Sequence, residues 1–435
     1  MNADVRTMKT SAEQALSAAF TAARGTLPGK GGVAQLREAA FNRFEERGLP
    51  HRRVEEWKYT DLRALMREMA PLAAAPDAAA KARAKNAGMV FPGVEARRIV
   101  FVDGAFVPEL SDLSPEPGLT IASLADTLGK GDGAAQSLGT AFTTDDVAVA
   151  LNTALMGDGA VVAVAAGAAI KRPIHLVFAG SGKSSAFVRS LVTVGEGAAV
   201  TLIEDHDSGE AQVNAAMELI VGDRAQVDYF KLTQAQGLHV ASLLAHIGAN
   251  AQFNTFAYTA GSPLVRNQSF IRFDGERTHA GLRGVSLLRG KEHVDTTLLI
   301  MHAKGHCDSR ELFKTVLDDE SRGVFQGKIV VAQHAQKTDA KMLARALLLS
   351  QEAEASLKPE LEIFADDVVC GHGATAGALD EGLRFYLMSR GISDAEAESL
   401  LIQAFIGGAV EEIAHEGIRE ALMNAAIDWL RARGE

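Results

Sequence analysis

The chain has only two cysteines, two tryptophans and four tyrosines in 435 residues. Two thiols, Cys307 and Cys370, cannot make the disulfide framework of a small secreted scaffold, so they are either buried small hydrophobes or functional thiols in a reducing compartment. Basic side chains are also scarce: 44 Lys and Arg stand against 55 Asp and Glu, a formal net charge of −11. That balance excludes the clustered basic face a nucleic-acid groove needs to displace counterions. The longest apolar run, Ala160 to Ile170, falls well short of the ~20 residues that span a bilayer, so no membrane helix is expected. The N-terminal stretch has apolar residues at helical spacing and lacks the apolar core and cleavage pattern of a secretory signal, which predicts a cytoplasmic location.

What is abundant is small and apolar residues, and their punctuation divides the chain in three. Residues 1–97 read as a helical segment with a linker. "SAEQALSAAFTAARG" and "VAQLREAAFNRFEERG" carry apolar residues at three-to-four spacing and end on Gly25 and Gly48, where a C-cap belongs. "LPHRRVEEWKYTDLRALMREM" follows, and the alanine-rich "APLAAAPDAAAKARAKNAG" reads as a poorly packed connector.

Residues 98–376 change to short apolar runs separated by Gly and Asp, the punctuation of strands and turns. Gly167, Gly195, Gly222, Gly248 and Gly275 mark similar turns at intervals of 28, 27, 26 and 27. A near-constant interval of this size is the mark of a stacked solenoid, in which each coil buries its apolar side only against its neighbours. A β-sandwich also has short strands, but not this period. The pattern continues more loosely through "HAKGHCD", "VAQHAQKT" and "QEAEASL" to "ELEIFADDVVC".

From residue 377 to 435 the helical period returns. "ALDEGLRFYLMSRG" stops at Gly391, Ser393 and Glu396 stand at capping-box spacing, and a last amphipathic stretch closes the chain. Leu400, Leu401, Phe405 and Ile406 make a wide apolar stripe, suited either to packing within the chain or to a partner's groove.

Several motifs fail on inspection. "AGSGKSS" ends like a phosphate loop, but its first glycine position is Val177 and its flanks read as strands. The pairs Asp318-Asp319 and Asp366-Asp367 read as solvated turn carboxylates. His302 and His306 would share a helical face, but Gly305 and the strand context argue against a ligand set with Cys307. Cys370 and His372 differ. In an extended strand, residues two apart project from one face, so this thiol and imidazole can meet one zinc ion or iron–sulfur cluster. Two ligands are too few for a closed site. Distant residues or another chain must supply the rest, unless Cys370 is a buried structural thiol beside a structural histidine.

The segments "SRGVFQGKIVV", "AQKTDAK", "LLLS", "KPELEIFADDVVCGHGAT" and "LRFYLMSRGIS", in that order, resemble the core of the SufB/SufD family, the scaffold subunits of the SUF iron–sulfur cluster assembly machinery. "RRVEEWKYTDL" resembles the N-terminal motif of the family's D-type members. Residues 370–375, "CGHGAT", are similar to the D-type Cys-Ser-His-Gly-Ala-Thr, whereas B-type members carry a glutamate after the histidine. Gly371 departs from the pattern's serine, and Gln326 replaces the asparagine of "GVFNGK", a change for which the sequence offers no reason.

This resemblance implies a mainly β fold, a right-handed parallel β-helix flanked by N-terminal and C-terminal α-helical domains. It implies a non-catalytic scaffold that is not an enzyme, working in a complex with a B-type scaffold subunit (SufB) and an ABC-type ATPase (SufC). His372, with Cys370 beside it, would face the B-type subunit where a nascent iron–sulfur cluster forms. That cluster would be transient and shared, with none tightly bound to the isolated chain. The C-terminal helices would hold the ATPase, through Leu383, Phe385, Tyr386, Leu400, Leu401 and Phe405. A homodimer is possible in isolation. Two other classes compete: a β-helix carbohydrate-active enzyme, which would need clustered Asp and Arg or Lys on an outer face, and a self-associating structural solenoid.

Overall fold

A computed structural model of the chain describes residues 8–131 and 136–433. Nine helices stand among the described residues: α1 (Ser11–Ala23), α2 (Gly32–Arg47), α3 (Leu62–Leu65), α4 (Ala78–Ala84), α5 (Leu124–Lys130), α6 (Val147–Leu155), α7 (Glu381–Ser389), α8 (Asp394–Val410) and α9 (Glu416–Arg433). Between α4 and α7 the chain winds into a parallel β-solenoid with two faces. One sheet has ten strands, the other nine, and each strand of the regular coils pairs with the strand two further along the chain. The fold is therefore mainly β with helices at both ends.

The register explains the period. Val194 lies beside Val221, Val221 beside Ile247, and Ile247 beside Phe273, coils of 27, 26 and 26 residues. Phe273 then meets His302, His302 meets Val331, and Val331 meets Ile363, so later coils lengthen to 29, 29 and 32. This is why the sequence pattern loosens downstream. The first interval needs correction: Val164 pairs with Val194, which sets Gly167 level with Gly197 and not with Gly195. Gly167 and Gly197 both have left-handed backbone, φ 69° and 66°. Arg224, Asn250, Arg277, His306 and Lys337 continue that left-handed corner down the stack. Each donates its backbone N–H to a carbonyl of the next coil, as Gly197 does to Asp223 at 2.8 Å, which offsets the ~1 kcal/mol or more that the conformation costs an ordinary residue. The other glycines serve a different purpose. A Cβ on Gly222 would lie 2.8 Å from the Glu196 backbone nitrogen, and one on Gly275 closer still to Ala249, so stacking itself requires glycine there.

The lumen between the sheets is filled by alternate residues such as Val162, Leu202, Ile247, Phe273, Ile300 and Phe325. Burying each such side chain stabilises the fold by about 1.5–3 kcal/mol. Cys307 belongs to this core, 1% exposed, with burial raising its thiol pKa. It is a small inward residue at a corner.

Outside the solenoid the sequence expectations meet three differences. Residues 48–77 carry only α3 and one short 3-10 turn, Glu55–Trp57, because this segment is strung over the outer face of the nine-stranded sheet and satisfied by it. Arg266 and Gln326 both donate to the Glu56 carbonyl, at 2.8 and 3.1 Å, and Arg266 lies 3.8 Å over the Trp57 ring. Gln326 thereby gains a reason, since its extra methylene relative to asparagine extends the amide toward Glu56. The alanine-rich connector contains α4, with Ala80 and Ala84 buried. Finally, α6 interrupts the strands and is buried at all nine positions. Its two polar residues, Asn152 and Thr153, are buried along with the apolar ones, so no polar face sets off a helical stripe.

Candidate functional site at the open end of the solenoid

The two ends of the solenoid differ. At the first, short antiparallel strands, Ala105–Phe106 and Leu119–Ser123, turn back onto the sheets. At the other, Glu354–Ile363 and Val369–Gly377 are the outermost strands of their sheets, and their outer backbone groups form an unpaired edge. Such edges template pairing with another chain unless blunted. Pro359 and the charges of "EASLKPELEI" blunt one of them; "VCGHGATAG" has no such protection.

Cys370 and His372 stand on that second strand. Cys370 pairs with Ala340 and His372 with Met342, both lumen residues, so the thiol and imidazole continue the inward-facing column of the coils before them. With no further coil to cover them, Cys370 is half-buried and His372 exposed. Burial raises the Cys370 thiol pKa, and nearby Asp339 and Glu311 add to the shift, so the group is a neutral thiol at neutral pH. Among the described residues no group of three or more His, Cys, Asp or Glu side chains is placed to hold a metal ion. A Cβ on Gly371 would meet nothing within 4 Å, so the position has room for the family's serine.

The other residues singled out by sequence fall in different places. Leu383, Phe385, Tyr386 and Leu400 are exposed, Phe385 to 74%. Leu401 and Phe405 are half-buried. Phe405 packs against the core that α8 and α9 share with the ten-stranded sheet, and its carbonyl accepts from Lys314. The stripe is thus split, because Ile402 and Ile406 take the face of α8 that meets the solenoid. His302 and His306 diverge: His302 is buried and contacts Ser309 at 3.1 Å, while His306 is exposed at the corner.

Sequence reasoning missed a polar cluster buried in the lumen. Glu204 contacts His206 at 2.5 Å and Lys231 at 2.9 Å and accepts from Tyr229. The His206 ring lies 4.6 Å from that of His239, whose two nitrogens have no partner among the described residues. Burial works to raise the Glu204 pKa, but the Lys231 charge and the bonds from His206 and Tyr229 outweigh it and hold the carboxyl below its usual range. Burial keeps both imidazoles neutral. One signal was available: Glu204, Lys231 and their neighbours sit about one coil apart, in strands whose alternate positions are otherwise apolar.

A parallel β-solenoid flanked by helices, with a cysteine and a histidine on the strand that ends it, defines the class. Residues 11–176 match the SufBD protein N-terminal region, and residues 177–405 match the SUF system FeS cluster assembly SufBD core domain. The chain belongs to the SufBD family of iron–sulfur cluster assembly proteins. An iron-sulfur cluster assembly SufBD family protein of Synechocystis is 33% identical over 395 residues, 87% of this chain and 86% of the relative. The iron-sulfur cluster assembly protein SufD of Escherichia coli is 32% identical over 386 residues, 86% and 88% of the two chains. SufD of Bacillus subtilis is 28% identical over 283 residues, 63% and 65%.

Proposed function

We propose that this chain is the D-type scaffold subunit of a SUF assembly complex, pairing through the open end of its solenoid with a B-type scaffold subunit. On this reading a nascent cluster, the cargo of the complex, forms between the two, with His372 and Cys370 contributing from this side. The observation that carries the reading is the unpaired edge strand Val369–Gly377, which presents an exposed imidazole and a half-buried thiol with no third ligand placed beside them among the described residues. The role is scaffolding, with no reaction assigned to the chain. The exposed side chains Leu383, Phe385, Tyr386 and Leu400 support docking of an ABC-type ATPase on α7 and the start of α8, with Leu401 and Phe405 at the margin. Nucleotide-dependent movement there would reach the cluster site only through contacts that differ between the two nucleotide states.

His372→Ala tests the reading. The side chain is exposed, so the variant is expected to fold and to assemble, while cluster loading of the purified complex falls. Loss of a ligand costs no less than the roughly tenfold that loss of a supporting partner costs. Loading is read by iron and sulfide analysis and visible absorption. Unchanged loading in an intact complex would sink the interface role of His372.

A further inference from the structure

The lumen contains two small chambers, one on each side of the Glu204 cluster along the solenoid axis. The larger, about 40 Å³, lies in the coils beyond Lys231, and its polar wall is made by Lys231, Thr255, Asn267, Ser269 and Thr296. The smaller, about 20 Å³, lies in the coils before the cluster, between Phe178, His206, Ser208 and Val213. Register shows that the first of these walls points inward, since Thr255 stands between the lumen residues Tyr229 and Leu282. Thr255, Ser269 and Thr296 nevertheless remain only half-buried in the middle of their strands, so the space beside them admits a water-sized molecule.

Both chambers are bordered by polar atoms with unmet demand. The Asn267 amide donates to Thr259 at 3.1 Å, while its carbonyl oxygen has no partner among the described residues. His206 turns Nε2 to Glu204 at 2.5 Å, and its Nδ1 is left as an unpartnered acceptor. Ser208 Oγ, on the same chamber, is unpartnered too. Lys231 has the opposite need, because its ammonium carries three N–H bonds and donates to Glu204 at 2.9 Å as its one acceptor among the described residues. Buried polar atoms are nearly always satisfied by protein or by ordered water.

The chemistry of the larger chamber selects its occupant. A molecule joining Lys231 to Asn267 has to accept from an ammonium and donate to an amide oxygen. A metal cation cannot accept, a halide cannot donate, and the Glu204 carboxylate already balances the Lys231 charge. Water does both, and roughly 10–15 Å³ is enough to hold one molecule.

We infer that the solenoid binds internal water at two fixed places, one bridging Lys231 and Asn267 and the other held by His206 and Ser208. These waters hydrate the buried Glu204–Lys231 pair from either side, which lets two charges persist in a largely apolar lumen. No part of the iron–sulfur assembly reading is needed for this.

High-resolution diffraction from crystals of the full-length protein, with and without xenon pressure, tests the inference directly. The expected result is water density ~2.7–3.2 Å from Asn267 Oδ1 and from His206 Nδ1 or Ser208 Oγ, with no xenon in either chamber. Xenon enters dry apolar cavities, so xenon density in the chambers would overturn the inference. So would chambers without water density. In solution, magnetic relaxation dispersion of the solvent counts long-lived internal waters. Asn267→Leu removes the acceptor and is expected to lower that count by at least one. Ser269→Val fills the larger chamber instead and should show the same loss, which keeps the test intact if Asn267→Leu fails to fold. An unchanged count in a folded variant would overturn the inference.

Discussion

At the scale of the residue, the solenoid's lumen holds groups that an apolar core would exclude, and each leaves a pH signature. Glu311 is 2% exposed, neither carboxylate oxygen has a hydrogen-bond partner among the described residues, and burial pushes its pKa up to about 8. A carboxyl whose folded pKa lies above its unfolded value favours the folded state fully only below the unfolded pKa of ~4.3. That stability is lost as pH rises toward about 8, at ~1.4 kcal/mol for each pH unit between the two values. Glu311→Gln keeps the shape and removes the titration. Its melting temperature is therefore expected to exceed that of the parent at pH 8.5 and to approach it at pH 5. Parallel curves at all pH values would show that Glu311 stays protonated throughout or meets solvent. His302 has the opposite linkage, since burial lowers its pKa to about 3. Its contribution is present above the unfolded pKa and is lost as pH falls.

The C-terminal helices show how one element divides its work between two faces. In α8, Ile402 and Ile406 are fully buried against the solenoid and Phe405 lies half-covered beside Lys314, while Leu400 and the aromatic residues of α7 face outward. A charge placed at Phe405 would be forced into apolar contact or would lift the helix. Phe405→Glu is expected to lower the melting temperature and loosen α8 and α9. Phe385→Glu alters a residue that touches little in this chain, so stability should change by no more than about 0.5 kcal/mol. Its expected effect is loss of the ATPase from the purified complex. Circular dichroism and co-purification together separate the two variants, and an intact complex carrying Phe385→Glu would move the docking surface elsewhere.

The whole molecule is asymmetric along its axis, with antiparallel strands folded over one end and two strands of 10 and 9 residues left open at the other. Open edges of this length seek partners. Anaerobic affinity purification of the tagged chain from its own cells is expected to recover a B-type scaffold subunit and an ABC-type ATPase. Produced by itself, the chain is expected to pair with a second copy through the same edge. Recovery as a lone monomer at native expression would remove the source of the missing ligands and leave Cys370 a structural thiol.

Much of the fold was legible because stacking is a local rule repeated. The coil period, the helices at both ends, with Gly48 closing α2 and Ser393 opening α8, and the placing of Cys370 and His372 on one strand face all follow from spacing along the chain, whereas α1 is capped by Arg24 and not by Gly25, and Glu396 supplies only its backbone N–H to the Ser393 cap. Reading glycine as the sole marker misaligned Gly167 with Gly195, because two glycine roles, close stacking and left-handed backbone, look alike as letters. Single-sequence spacing also could not place the α6 helix, which is buried on every side, Asn152 and Thr153 included, or the split faces of α8. Tertiary structure alone decided which residues meet across coils. Glu204, Tyr229, Lys231 and His239 become neighbours only once successive turns are in register, and the chamber shared by Lys231 and Asn267 exists only inside the stacked coils. Sequence order carries the direction of each side chain along its own strand, while adjacency between coils depends on turn lengths that vary from 26 to 32 residues.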